Sequence, residues 1–380
     1  MLTNVLLSLL LSVNVPEGFQ IDVFAKGLEG PRAILVLEDG TVLVTRPAMN
    51  DVLALRDRDG DGVADVMRTA IASVEGAQSL AMKGRTLYVA GANRVIAADR
   101  LPDGSFGEAH EVIRQLPAGG RRALALGGDG KLYVAVGSAC AECVETHPEH
   151  ATLLQFDADG LNRRIFARGL GDTAAIDAHP KTGELWSANG GELNRLGDGL
   201  HYGWPFCAGR KPASNAMSPE GMPKEKFCRS SEAAAFELPA RASGFAFYRG
   251  AQFPEGFRGD AFAANGSKVL RVRFEDDKPV AAEEFASGAN EIAGLAASAG
   301  VAAISVWFES PFPLRSGRSW PSSRTRGPTN VPAPARRLIQ PSFSSGSSAR
   351  RTVERLTFSD RTNSASVASR LPGAGRLTRM

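Results

Sequence analysis

The chain has 380 residues, 43% of them hydrophobic, and a formal net charge of +3. That apolar content builds a sizeable core and excludes a disordered chain. From Pro311 to Met380 thirteen Arg stand against Glu354 and Asp360, a net +11, so the first 310 residues carry −8 and are no natural partner for nucleic acid or an anionic membrane.

The N-terminus, MLTNVLLSLLLSVNV, holds an apolar run from Val5 to Val13. It is too short to span a bilayer, and no other segment is long enough. It has the length of a signal-peptide core but lacks a basic start and a clean cleavage site, so residues 1–14 read as a partial signal peptide. The expected location is periplasmic or secreted.

Short apolar runs then alternate with Asp-Gly or Gly turns, as hairpins require. Ala33–Glu38 pairs with Thr41–Thr45, Ser79–Met82 with Thr86–Ala90, Ala123–Leu126 with Lys131–Val136, and Ala174–Ala178 with Glu184–Ser187. A fifth unit fits Gly244–Tyr248, Gly259–Ala264 and Val269–Phe274. The unit returns about every 45–55 residues, the length of a four-stranded propeller blade. The expected fold is all-β, a six-bladed β-propeller over residues 15–310. A large β-sandwich is the rival architecture. The sixth blade begins near Glu291–Val306 and has no recognisable completion, so it is expected to be incomplete. Residues 311–380 are rich in Ser, Pro and Arg without a strand pattern and are expected to form a disordered tail.

Within the first unit, 56-RDRDGDGVADV-66 puts Asp57, Asp59, Asp61 and Asp65 at loop positions 1, 3, 5 and 9, with Gly62 at position 6. Calcium takes six to eight oxygens, which such spacing supplies. The flanks read as strands and position 12 is Arg68, so the loop is not an EF-hand. The competing reading is a polar turn whose Asp side chains bond backbone amides. Either way the loop staples a hairpin.

Four cysteines, an even count in an exported chain, favour two disulfides. Cys207 and Cys228 bracket a 20-residue insertion, and a bridge there pins it over the propeller face. Cys140 and Cys143 precede His147 and His150, an array that can also ligate zinc or leave free thiols. His179, in HPKTG, reads as a turn residue.

Several phrases together resemble the soluble quinoprotein glucose and sorbosone dehydrogenase family. They are 16-PEGFQIDVFAKGLEGPRAI-34, 129-DGKLYVAVGSACAEC-143, 179-HPKTGELW-186, 192-ELN-194, 201-HYGWPFC-207 and 256-GFRGDAF-262, in consistent order. The resemblance implies oxidation of a sugar hydroxyl or aldehyde by pyrroloquinoline quinone (PQQ) with calcium, a His general base near the axis, and an electron acceptor. It also implies a disulfide for Cys140–Cys143. It places Asn189, Gly190, Tyr202 and Trp204 at the cofactor and Glu192 at a calcium. The bland reading of these residues is a Tyr-Gly-Trp-Pro turn packed on the next blade, with Glu192 bonding backbone.

The sequence departs from that pattern at four places. Counting back eight residues from Gly127, the base position is Gly119; the nearest His is His110. The Arg-Asn that holds the cofactor's acids is Gly171-Asp172, and an Asp there repels a carboxylate. The loop 188-ANGG-191 is short. Basic residues of the last blade have no counterpart. The expectation is therefore a dehydrogenase-like propeller of doubtful activity, with a non-catalytic, calcium-stapled propeller binding a carbohydrate or protein as the alternative.

Overall fold

The structure, a computed structural model, describes residues 13–19, 21–141, 143–250, 253–288, 292–297, 303–309 and 351–357. Residues 1–12, most of the segment read as a signal peptide, and most of 311–380 lie outside the described residues.

Five four-stranded antiparallel sheets follow one another along the chain. Blade one is β2 (Ile34–Val36), β3 (Val42–Arg46), β4 (Asp51–Arg56) and β5 (Val66–Ile71). Blade two is β6 (Ser79–Lys83), β7 (Thr86–Ala90), β8 (Val95–Asp99) and β9 (His110–Ile113). Blade three is β10 (Arg122–Leu126), β11 (Leu132–Val136), β12 (Thr152–Phe156) and β13 (Arg164–Arg168). Blade four is β14 (Thr173–Ala178), β15 (Leu185–Asn189), β16 (Glu192–Arg195) and β19 (Phe236–Glu237), interrupted by the small hairpin β17 (Cys207–Ala208) and β18 (Lys211–Pro212) and the helix α1 (Lys224–Ser230). Blade five is β20 (Ala242–Phe247), β21 (Ala261–Asn265), β22 (Lys268–Glu275) and β23 (Lys278–Ser287).

A sixth four-stranded sheet corrects the expectation of an incomplete last blade. It runs β24 (Ile292–Ala297), β25 (Ala303–Glu309), β26 (Arg351–Thr357), then β1 (Asp22–Ala25) from the other end of the chain. The sequence hides this because two of its four strands come from distant segments. β26 also corrects the reading of 311–380 as strandless: seven of those residues pair antiparallel with β25 from Ala303↔Thr357 to Glu309↔Arg351.

The innermost strands β2, β6, β10, β14, β20 and β24 neighbour one another in a closed ring, which settles propeller over sandwich. Each blade buries both faces against its neighbours, so its middle strands read as continuous apolar runs such as LYVAV and AFAAN rather than alternating ones. Six apolar clusters fill the six interfaces; Leu43 and Val52 of blade one, for example, pack with Leu87 and Val89 of blade two. Outer strands such as β5 are largely exposed.

Candidate functional site

A cleft of about 540 Å³ opens over blades three and four, at the ends where the innermost strands begin. Its wall comes from six segments: Gly120-Arg121 before β10, Ser138–Ala141 after β11, Gly169–Asp172 before β14, Asn189–Glu192 between β15 and β16, the YGWPFCA stretch from Tyr202 to Ala208, and Arg241 before β20. Asn189, Gly190, Glu192, Tyr202 and Trp204, scattered over sixteen positions, are thus brought to one surface. A narrower cavity of about 170 Å³ follows the propeller axis and is lined from all six innermost strands.

Asn189 is buried, and its amide is fully used: Nδ2 donates to the Leu170 carbonyl at 2.8 Å and to Thr173 Oγ1 at 2.6 Å, while Oδ1 accepts from Ser187 at 2.5 Å. Its side chain holds the 170–173 loop in place. The carbonyls of Gly190 and Gly191 accept the N–H groups of Ala242 and Leu238, each at 2.7 Å. Tyr202 donates its hydroxyl to the Arg195 carbonyl at 2.6 Å and accepts from the Gly197 N–H at 3.0 Å, so only its ring faces the cleft. Burial pushes that phenol up to about 12.

Glu192 has a different character. One carboxylate oxygen accepts the Gly209 N–H at 2.7 Å. Burial, the largest influence, pushes its carboxyl above the ordinary range; the Gly209 bond and the nearby Asn194 amide pull the other way. Asn194 is 1% exposed, and its amide lies against the Glu192 carboxylate. The Trp204 Nε1 is buried without a partner. Asn194 and Trp204 are both residues of the cleft wall beside Glu192.

Where the resemblance leads one to expect Arg-Asn, the glycine of Gly171-Asp172 has a visible cause. Gly171 sits at φ +61°, and a Cβ there would lie 3.0 Å from Trp204 Cδ2. The indole therefore occupies the space a side chain would need. Asp172 is paired rather than bare. Its Oδ1 accepts the Arg121 N–H at 3.0 Å and its Oδ2 lies 3.2 Å from Arg121 Nε. Arg121 and Arg241 are the two cations of the cleft wall. Neither was singled out in the sequence, although Arg121 stands just before a strand that enters the axis. Deeper along the axis, burial lowers Arg32 and Arg122 to about 10 each.

Among the described residues no histidine lines the cleft. His110 lies on the exposed outer strand of blade two, paired with Ala97, far from the axis in its sheet. Gly119, at φ +88°, lies beside Ala139. His179 is a buried turn residue, as expected, its Nδ1 accepting the Thr182 N–H at 3.3 Å.

Both disulfides are present, Cys140–Cys143 and Cys207–Cys228. The cysteines are therefore neither free nor part of a zinc array with His147, whose Nδ1 accepts the Glu149 N–H at 3.2 Å. The second bridge ties α1 to β17, whose two residues, Cys207 and Ala208, form part of the cleft wall.

The acidic loop lies away from the cleft, at the β4–β5 turn. Asp57 Oδ1 accepts the Gly60 N–H at 2.7 Å and its Oδ2 the Gly62 N–H at 2.9 Å; Asp61 accepts from Val63 at 2.8 Å. Carboxylate oxygens of Asp57, Asp59 and Asp61 lie within 4.8 Å of one another. Asp65 is outside that group and accepts the Arg58 N–H at 3.2 Å. The loop also reaches the closing blade, since the Ala64 N–H donates to the Phe24 carbonyl at 2.7 Å.

Closed β-propeller geometry with a polar, loop-walled cleft near the axis defines the class. The glucose/sorbosone dehydrogenase profile matches residues 28–292, more than half of the chain, so the chain belongs to that family of sugar oxidoreductases. Solved structures share the fold at low identity. The PQQ domain of pyranose dehydrogenase from Coprinopsis cinerea, in its holo form, aligns with a TM-score of 0.65 at 14% identity over 77% of this chain and 94% of its own. The PQQ-bound aldose sugar dehydrogenase of Streptomyces coelicolor aligns at 0.60 with 18% identity, over 78% and 92%. A calcium structure of a Family AA12 carbohydrate-active enzyme from Trichoderma reesei aligns at 0.63 with 18% identity, over 79% and 94%. No curated protein matches the chain. No helix among the described residues is long and apolar enough to cross a membrane.

Proposed function

We propose that the chain is an exported sugar dehydrogenase in which the cleft over blades three and four receives PQQ and a sugar, and in which Glu192 takes the part of the missing histidine. The observation that carries this is the placement of Glu192: a carboxylate with its proton affinity raised by burial, on the wall of the cleft, beside the Asn194 amide and the Trp204 indole. A base with its pKa moved toward neutrality is suited to removing a hydroxyl proton. Asp172 is unsuited to that task because Arg121 engages it.

The residues present fit a planar polyacid. Arg241 offers positive charge at the wall, Arg121 being paired with Asp172, and the Trp204 ring and Tyr202 ring offer flat faces. Bound PQQ would supply the acceptor for the hydride leaving the sugar carbon. The chain itself contributes orientation through the two rings, removal of the sugar hydroxyl proton at the Glu192 carboxylate, and shelter from water along the Cys207 wall. Calcium is proposed for the Asp57, Asp59 and Asp61 oxygens, as a staple remote from the chemistry. Two disulfides support export, because such bonds persist in oxidising compartments. Residues 15–310, with β26, are proposed as the propeller unit.

One observation favours a second reading, a propeller that binds sugar without oxidising it: the absence of histidine among the described residues of the cleft wall. Absorbance titration with PQQ and calcium, followed by dye reduction with a panel of aldoses and sorbosone, separates the two. Saturable cofactor binding with turnover that Glu192→Gln removes supports the dehydrogenase. Sugar binding with neither cofactor binding nor turnover supports the second reading and overturns the first.

A further inference from the structure

The axial cavity of about 170 Å³ shares no lining residue with the cleft, and the sugar chemistry makes no use of it. Arg122, at the head of β10, lines it and is 3% exposed. Burial lowers its pKa to about 10, so it remains charged at neutral pH. Its terminal nitrogens donate only to backbone. Nη1 reaches the carbonyls of Gly119 at 2.6 Å, Arg121 at 3.2 Å and Gly120 at 3.4 Å, and Nη2 reaches that of Pro117. Its Nε is buried without a partner.

Among the described residues Arg94, Arg100 and Arg273 also have such an Nε, but each of them pairs with a carboxylate. Arg122 has no such pair. Asp172 attracts it through space, yet the N–H and Nε of Arg121 engage both Asp172 oxygens. Asp177, the one carboxylate of the cavity wall among the described residues, is held at both oxygens by Arg249, at 2.8 and 2.7 Å. Carbonyls meet the hydrogen-bonding needs of a guanidinium but do not cancel its charge, and an uncompensated buried charge is costly.

The neighbours of Arg122 add donors. Its backbone N–H donates to Gln78 Oε1 at 3.0 Å, which leaves the Gln78 Nε2 hydrogens to donate elsewhere. The Leu124 N–H donates to Ser79 Oγ at 3.0 Å, which leaves the Ser79 hydroxyl proton to donate. Gln78 and Ser79 line the cavity as Arg122 does. A guanidinium, an amide and a hydroxyl thus meet where β6 and β10 adjoin at the axis.

We propose that the axial cavity binds one small monovalent inorganic anion, of the halide class, held by Arg122 Nε, Gln78 Nε2 and the Ser79 hydroxyl. One negative charge matches the one guanidinium that backbone alone surrounds. The ion ties the inner strands of blades two and three, so it stabilises the closed ring and takes no part in turnover.

The test follows the melting temperature of the full chain against chloride, with isethionate holding the ionic strength constant. Wild type is expected to gain stability along a saturating curve, as a ligand of the folded state requires. Crystals soaked in bromide are expected to show one anomalous peak on the axis, between Arg122, Gln78 and Ser79. Gln78→Glu keeps the oxygen that accepts the Arg122 N–H and places a fixed carboxylate beside the guanidinium, without the loss of the four carbonyl contacts that removal of Arg122 brings. It is expected to lose the chloride response and the axial bromide, and to melt in isethionate at or above wild type. A wild-type melting temperature that does not respond to chloride overturns the proposal without any variant. So does bromide found away from the axis, an adventitious ion only, and so does a chloride response that Gln78→Glu retains.

Discussion

The indole of Trp204 lies on Gly171, with Cδ2 placed where a Cβ at residue 171 would approach to 3.0 Å. One loop thus gives up a side chain so that the HYGWP turn can form the cleft wall. Gly171→Ala adds both that clash and a side chain at φ +61°. It is expected to cost about 1–3 kcal/mol. Urea denaturation reads the loss, and a red shift in tryptophan emission would report that the indole has moved toward water.

Glu192→Gln keeps the oxygen that accepts the Gly209 N–H but removes the ionisable group. If the proposed role is right, kcat of the reconstituted enzyme falls by about 10²–10⁴-fold with little change in KM. Wild-type kcat should rise as pH passes upward through the raised Glu192 pKa, and the variant should lose that limb.

The same residue gives a stability signature independent of turnover. Its folded pKa lies above the ordinary 4.5 because burial disfavours the charged form. The stability from the buried neutral acid is therefore full below the unfolded pKa and is lost as pH rises through the folded pKa. Glu192→Gln should match wild type in acid and exceed it at neutral pH. Thermal melts across that range check the crossing, and equal melting curves at every pH would remove burial as the cause.

Asp57 satisfies the N–H groups of Gly60 and Gly62 in a loop tied to Phe24 of the closing blade. Asp57→Ala should destabilise the chain by about 1–2 kcal/mol even without metal. Added calcium should raise the melting temperature of wild type and not of an Asp59→Asn/Asp61→Asn variant. Equal melting with calcium and with a chelator would leave the loop a turn held by its own hydrogen bonds.

Opening the Cys207–Cys228 bridge frees the ends of a 21-residue separation. Cys207→Ser/Cys228→Ser should cost roughly 3 kcal/mol through the unfolded ensemble. It should also loosen sugar binding, because β17 lines the cleft; isothermal titration of both forms tests this.

The sequence alone determined the class of fold and most of its blades. Apolar runs separated by Gly turns impose strands locally, and their regular return imposes a ring of sheets, because a sheet with two apolar faces must cover both. The acidic turn, the even cysteine count and the HYGWP phrase were legible for the same reason: their chemistry is carried by neighbouring residues. The closing blade was not, since β1 and β26 come from opposite ends of the described chain and no local pattern says that they pair. Nor was the paired state of Asp172, nor the seating of Arg122 among backbone carbonyls. Those depend on which loops a closed ring brings together, and on which polar atoms are left there without water. Only the tertiary structure decides that, because burial and partner geometry, rather than residue type, set the charge and reactivity of each group.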